Sequence, residues 1–216
     1  MRTCAVLPVK RFDDAKQRLD KTLNAGTRRA LAEAMVSDVL HALRRAERID
    51  KVVVVTGENG AEALARAYDA ESIPDDDRGH SHAARAGVDW ALERDYARVL
   101  LVPGDCPALD PAEVDALLES AAPGVVIVPD RHGSGTNALL LDPPAVLTPA
   151  FGPGSFARHA ALAHAAGATV RVGRLPSLEL DVDTPGDLAA LRAALAAGHG
   201  AAPRTRALLE RLVHAA

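Results

Sequence analysis

Continuous apolar runs with no room to alternate constrain this chain most. In KVVVV at 51–55 four valines follow one another, the pattern of a strand that a parallel sheet buries on both faces. ARVLLVPGD at 97–105 and TCAVLPV at 3–9 read the same way. Helical spacing follows each strand. Leu31, Met35, Val39 and Leu43 fall on one face between Thr27, the expected N-cap, and about Arg48. Asn59 to Tyr68 reads as the next helix. PDDDRGHSHAARAGVDWAL runs from an acidic loop into a helix ending near Glu93, and Pro111 to Ala121 forms another. Strands alternating with helices imply an α/β fold with a mostly parallel central sheet flanked by helices.

The second half is less regular. GVVIVPD at 124–130 and NALLLD at 137–142 are expected strands joined by RHGSGT, whose glycines suit either a hairpin turn or a phosphate cradle. FGPGSFARHAALAHAAG offers a Gly-Pro loop, a cap at Ser155 and an alanine-rich helix. ATVRVGRL and LELDVD read as short strands, and Thr184 to Ala197 as a helix. GHGAA at 198–202 reads as a linker to a last helix from Pro203. At 216 residues with no composition shift, one core and one domain are expected.

A formal net charge of -4 and the lack of a basic tail argue against nucleic acid as a partner. Cys4 and Cys106 lack metal-ligand spacing and read as two free thiols of a reducing compartment. No stretch approaches a membrane-spanning length, and the first apolar run is broken by Pro8 and Lys10, so a cytoplasmic protein without a membrane partner is expected.

Three aspartates carry the chemistry: Asp105 in GDCPAL, and Asp181 and Asp183 in DVDTP. Each string follows an apolar run, which places the carboxylates where α/β sheets bind ligands. Clustered carboxylates repel unless a cation sits between them, and Mg²⁺ is a hard cation suited to oxygen ligands. Helix capping competes as an explanation, since Asp110 precedes Pro111 and Thr184 precedes Pro185. After the first strand, Lys10, Arg11, Lys16 and Arg18 could surround a triphosphate or simply be solvated. In FGPGSF, Gly152 and Gly154 free the backbone and Ser155 opens a helix, an arrangement suited to anion capture. His159, one turn further on, could approach that anion or lie on the surface. His80 and His82 find no third metal ligand at a recognised spacing and are read as loop or helix-start residues.

Taken in order, PVKRFDDAKQRL, GDCPAL, GTN, FGPGSF and DVDTPGDL resemble the 2-phospho-L-lactate and phosphoenolpyruvate guanylyltransferases of deazaflavin coenzyme biosynthesis. The resemblance implies a single-domain, Rossmann-like fold of the nucleotide-diphospho-sugar transferase type. Residues 1–197 would form the nucleotidyltransferase domain, with 198–216 a linker and helix of the same domain. It implies transfer of GMP from GTP to a small phosphorylated carboxylic acid with release of pyrophosphate. By the same resemblance Asp105, Asp181 and Asp183 are metal ligands for Mg²⁺. Thr136, Gly152 and Ser155 would bind the acid. Lys10, Lys16 and Arg18 would act on the triphosphate as the catalytic cations, with Arg11 and His82 also on the nucleotide side. Two positions depart from the family pattern: Cys106 stands where leucine is common, and His82 where an asparagine is usual. The same fold acting on 3-phosphoglycerate, a sugar phosphate or the molybdenum cofactor, or a non-catalytic nucleotide-binding module, are the competing readings. The C-terminal helix could pair two subunits as a homodimer.

Overall fold

In a computed structural model, which describes residues 1–214 with side chains as far as Leu212, seven strands form one sheet in the order β3-β2-β1-β4-β6-β5-β7. The strands are β1 (Thr3–Val9), β2 (Lys51–Thr56), β3 (Glu71–Pro74), β4 (Arg98–Leu101), β5 (Gly124–Pro129), β6 (Thr136–Asp142) and β7 (Val170–Val172). β1 pairs in parallel with β2 and β4, β2 with β3, and β5 with β7. Only β6 is reversed, running antiparallel to β4 and β5. That reversal brings the start of β6 to the same end of the sheet as the carboxyl ends of the other strands.

The helices are α1 (Ala25–Arg45), α2 (Asn59–Ala67), α3 (His80–Leu92), α4 (Pro111–Ser120), α5 (Ser155–Ala165), α6 (Pro185–Ala196) and α7 (Pro203–His214). Period-two alternation in the strands sorts side chains onto two faces. Ala5, Leu7, Val54 and Leu100 pack against α1, α2 and α4, while Val6, Val53, Val55 and Leu101 pack against α3 and α5. Gly87 lets α3 lie directly on β1, because a Cβ there would stand 2.2 Å from Cγ1 of Val6.

Several expected boundaries move. Asn24, not Thr27, caps α1: its Oδ1 accepts the Thr27 amide at 2.9 Å, so Thr27 lies within the first turn. β3 goes unread in the sequence because ESIP is a short, largely exposed edge with no apolar run. LELDVD forms no strand; a 3-10 turn at Pro176–Leu178 leads into an irregular segment whose Val182 amide bonds to the Asp105 carbonyl at 3.2 Å. Ser155 is the first residue of α5 and not its cap, which is Gly154 in the left-handed region at φ 71°.

A satellite core joins distant parts of the chain. Leu19 from the first loop, Leu31 and Met35 of α1, Val182, Leu188 and Leu191, and Leu208 and Leu209 of α7 are buried together. The carboxylate of Asp38, buried in α1, accepts the amides of Arg204 at 3.0 Å and Thr205 at 2.8 Å and so satisfies two orphan donors at the start of α7. Of the C-terminal segment 198–216, residues 215–216 lie outside the described residues. Asp38→Ala should cost about 1–2 kcal/mol, as for loss of an N-cap, read as a lower urea midpoint with an unchanged slope.

Candidate functional site

The chain after β1 does not wander freely. Phe12 is buried in the main core and Leu19 in the satellite core, so the basic segment between them is pinned at both ends. Lys16 lies between these anchors with φ 57°, and its side chain is only 8% exposed. Its Nζ donates to Asp105 Oδ2 at 2.7 Å and to Asp183 Oδ1 at 3.0 Å, joining residues 89 and 167 positions away. Burial alone would pull this ammonium's pKa down, but the two carboxylates outweigh burial and hold it above the ordinary lysine value.

The DVD string is aimed by its middle residue. Val182 is fully buried in the satellite core, which turns Asp181 and Asp183 to the other side of the chain. Asp183 meets Lys16, while Asp181 Oδ1 accepts from the Asn137 amide at 3.3 Å. Asn137 also donates to the Leu178 carbonyl at 2.5 Å and is itself buried. Burial pushes the Asp181 carboxyl up, and the neighbouring Asp105 and Asp183 charges add to that push against the Asn137 hydrogen bond. Such a carboxylate is short of positive charge.

Capping is done by other residues. Thr184 and Asp187 form a capping box at α6, in which Asp187 Oδ2 accepts the amides of Asp183 at 3.0 Å and Thr184 at 2.7 Å. Arg131 pairs with the same Asp187. Asp110 caps α4. Asp105, Asp181 and Asp183 therefore serve no helix end, and their carboxylate oxygens, with Lys16 among them, suit a hard divalent cation. Among the described residues, the trio whose ligand atoms all lie within 4.8 Å of one another is a different one, Asp75, Asp76 and His82. The fold thus gives His82 the acidic company that sequence spacing did not show.

A cleft of about 310 Å³ opens between the first loop, α1 and the start of α3, with Lys10, Lys16, His80, Asp105 and Asp183 on its wall. A neighbouring recess of about 350 Å³ shares Lys10 and His80 and adds Arg11, Asp75 and Asp77. Arg11 is tied to Asp77 at 3.1 Å. Arg18 is exposed, with no hydrogen bond or ion pair among the described residues, and lines neither space. His82 pairs through Nδ1 with Asp76 Oδ1 at 3.0 Å and also lines neither. His80, read in the sequence as a loop or helix-start residue, is the first residue of α3. Burial and nearby Lys10 lower its pKa, against the pull of Asp105, and its ring meets Phe151 edge-on at 4.8 Å.

Thr136, Gly152 and Ser155 line neither the cleft nor the recess; of the three, Thr136 comes nearest the aspartates, as the neighbour in β6 of Asn137, which bonds Asp181. The hairpin turn before Thr136 is not an open cradle, because Asp130 already accepts the amides of His132, Ser134 and Gly135 at 3.0–3.1 Å. Its Ser134 carbonyl accepts the Phe156 amide at 3.2 Å, which docks the turn onto the Gly-Pro loop. Gly152 and Gly154 have positive φ, 109° and 71°, and the Ser155 amide closes onto the Gly152 carbonyl at 3.0 Å. Asn137 is the residue that sequence reading undervalued. It ends the GTN string, and a buried amide opening an otherwise apolar strand is the signal that could have marked it.

The family described as "Guanylyl transferase CofC like" matches residues 3–214. A phosphoenolpyruvate guanylyltransferase of Conexibacter woesei is 52% identical over 99% of this chain and 97% of its own length. A 2-phospho-L-lactate guanylyltransferase of Methanothermobacter thermautotrophicus is 34% identical over 87% and 83% respectively. Among solved structures, a protein of Desulfovibrio desulfuricans described as a nucleotide-diphospho-sugar transferase covers 98% of this chain and 95% of its own, with TM-score 0.77 and 19% identity. A nucleotidyl transferase from a Methanothermobacter species superposes with TM-score 0.64 at 19% identity, over 89% of this chain and 96% of its own. These likenesses establish the nucleotidyltransferase-type fold.

Both cysteines are free and fully buried, as the sequence implies. Burial pushes the Cys4 thiol up to about 12 and raises Cys106 well above its ordinary value, the latter with help from Asp105. Cys106 Sγ points to the Leu178 carbonyl at 3.5 Å, directly under the aspartates. In the native protein at pH 8 neither thiol should react with a disulfide reagent on the timescale of minutes. Both should titrate after unfolding in guanidinium.

Proposed function

Because the chain belongs to the family of CofC-like guanylyl transferases, we propose that it transfers GMP from GTP to phosphoenolpyruvate, forming a diphosphate-linked product and releasing pyrophosphate. The observation that carries this reading is that Asp105 and Asp183, from two distant segments, meet on one buried lysine at the wall of a cleft, with Asp181 near enough to feel both charges. Phosphoenolpyruvate is favoured among phosphorylated acids because the 52% identical relative bears that name, whereas the 2-phospho-L-lactate enzyme is 34% identical.

The attacking group is a phosphate oxygen of the acid. A phosphomonoester is largely dianionic at neutral pH, since its second pKa is near 6, so the step needs no general base. That fits a cleft whose wall, among the described residues, carries no serine, threonine or cysteine. The protein's work is positioning and charge neutralisation at the α-phosphorus as the new P–O bond forms and the bond to pyrophosphate breaks. Asp105, Asp181 and Asp183 would hold Mg²⁺, which supplies charge neutralisation and orients the phosphate oxygens. Lys10 and Lys16, on the wall of the cleft, offset triphosphate charge there. Thr136, beside Asn137 and Asp181, and the Gly152–Ser155 loop would receive the acid. Arg11 and Arg18, more exposed, have a weaker claim on the nucleotide, and so does His82 in its pairing with Asp76.

The test is a matrix of GTP and ATP against phosphoenolpyruvate, 2-phospho-L-lactate and 3-phosphoglycerate with Mg²⁺, read by mass spectrometry for the diphosphate-linked product. Phosphoenolpyruvate with GTP should dominate. Asp183→Asn should lower Mg²⁺-dependent pyrophosphate release by roughly 10²-fold or more, the scale for loss of one electrostatic partner of a transition state. Near-normal release by that variant would remove the metal role from Asp183.

A further inference from the structure

His159 sits in α5, one turn beyond Ser155, and has no exposed surface. Its two ring nitrogens are both engaged. Nε2 lies 2.9 Å from the Ala150 amide nitrogen, and Nδ1 lies 3.0 Å from the Thr136 hydroxyl oxygen. A backbone amide can only donate, so Nε2 must be the acceptor and carries no proton. A neutral imidazole then bears its proton on Nδ1 and donates it to Thr136 Oγ1. Burial, with Arg158 nearby, lowers this histidine to about 4, so the ring is neutral at working pH. Phe151 packs against the ring edge-on at 5.0 Å and holds its plane.

One consequence reaches the site. A threonine hydroxyl has one hydrogen, and with an Nδ1–H already pointing at its oxygen that hydrogen is left to donate elsewhere. Thr136 is half-buried at the site end of β6, beside Asn137, which holds Asp181. We propose that His159 is a positioning residue that commits the Thr136 hydroxyl to donate its own hydrogen away from the ring, so that it offers a hydrogen-bond donor to an anionic oxygen of the phosphorylated acid. The proposal rests on the reading of Thr136 as a contact of that acid. It treats the Ala150 amide as the element that sets the tautomer, in the way outer partners fix the rings of ligating histidines.

Two substitutions separate the bonds. The amide nitrogen of asparagine overlies Nδ1 and can still donate to Thr136, whereas the end of glutamine reaches only the Nε2 position and can still accept from Ala150. His159→Gln should therefore raise KM for the acid by about 10-fold or more while KM for GTP stays within about twofold, and His159→Asn should recover most of the loss. In a Thr136→Val background His159→Gln should add no more than about twofold, because the two changes break one bond. Circular dichroism and melting select variants that remain folded. Proton-nitrogen correlation of the imidazole in the wild type should place the proton on Nδ1. The proposal is overturned by a proton on Nε2, by an unchanged KM for the acid in His159→Gln, by equal rises in both KM values, or by additivity with Thr136→Val. The two failures are separable: absence of product with every acid in the wild type removes the functional reading, whereas the nitrogen spectrum decides the tautomer without turnover.

Discussion

Three carboxylates crowded at one end of a sheet repel one another, and the local architecture is arranged to hold them there. Lys16 bridges Asp105 and Asp183. Asn137 holds Asp181, and the Val182 amide bonds to the Asp105 carbonyl while its side chain is buried among the residues of α6 and α7. A buried ion pair gains little net stability, since desolvation offsets most of the Coulomb attraction. The apolar anchors Phe12, Leu19 and Val182 are what keep the charged groups in place. Stability and chemistry are thus drawn from neighbouring but different atoms.

The reversed strand β6 has a similar double effect. Running against β4, it carries Thr136 and Asn137 to the ligand-binding end of the sheet, where a parallel strand would have brought its carboxyl end. The polar start of β6 is turned to the site and its apolar remainder fills the core. The loop before α5 meets the hairpin turn through the Phe156 amide, and His159 ties the same helix to Thr136. The start of β6 is therefore braced against α5 by two contacts, while the basic segment depends mainly on its two anchored ends. On that loop Lys10 is exposed, and Arg11, also exposed, is held by Asp77 at 3.1 Å.

Capping and metal binding were competing explanations of the same strings in the sequence. In the structure capping falls to adjacent residues: Thr184 with Asp187 and Asp110 cap helices, and Asp181, Asp183 and Asp105 do not. The glycines of HGSGT were likewise ambiguous, and Asp130 decides for the turn by accepting its amides. Neither outcome could be read locally, because an aspartate or a glycine-rich turn has the same local preferences whether its partner is a helix end, a carboxylate or a ligand.

The amino-acid sequence by itself determined the α/β alternation, the burial of strands on two faces, the two free thiols and the order of motifs that marks the family. The first three follow from local periodicity or composition and the last from the likeness of the strings themselves, all of which the chain carries whatever its partners. Tertiary structure alone decided that Lys16 meets Asp105 and Asp183, that Asn137 serves Asp181, that His80 lines the cleft while Arg18 and His82 do not, and that His159 is buried against Thr136. Those contacts join residues tens to more than a hundred positions apart. They depend on the reversal of one strand and on which apolar side chains anchor each loop, and no spacing along the chain encodes either.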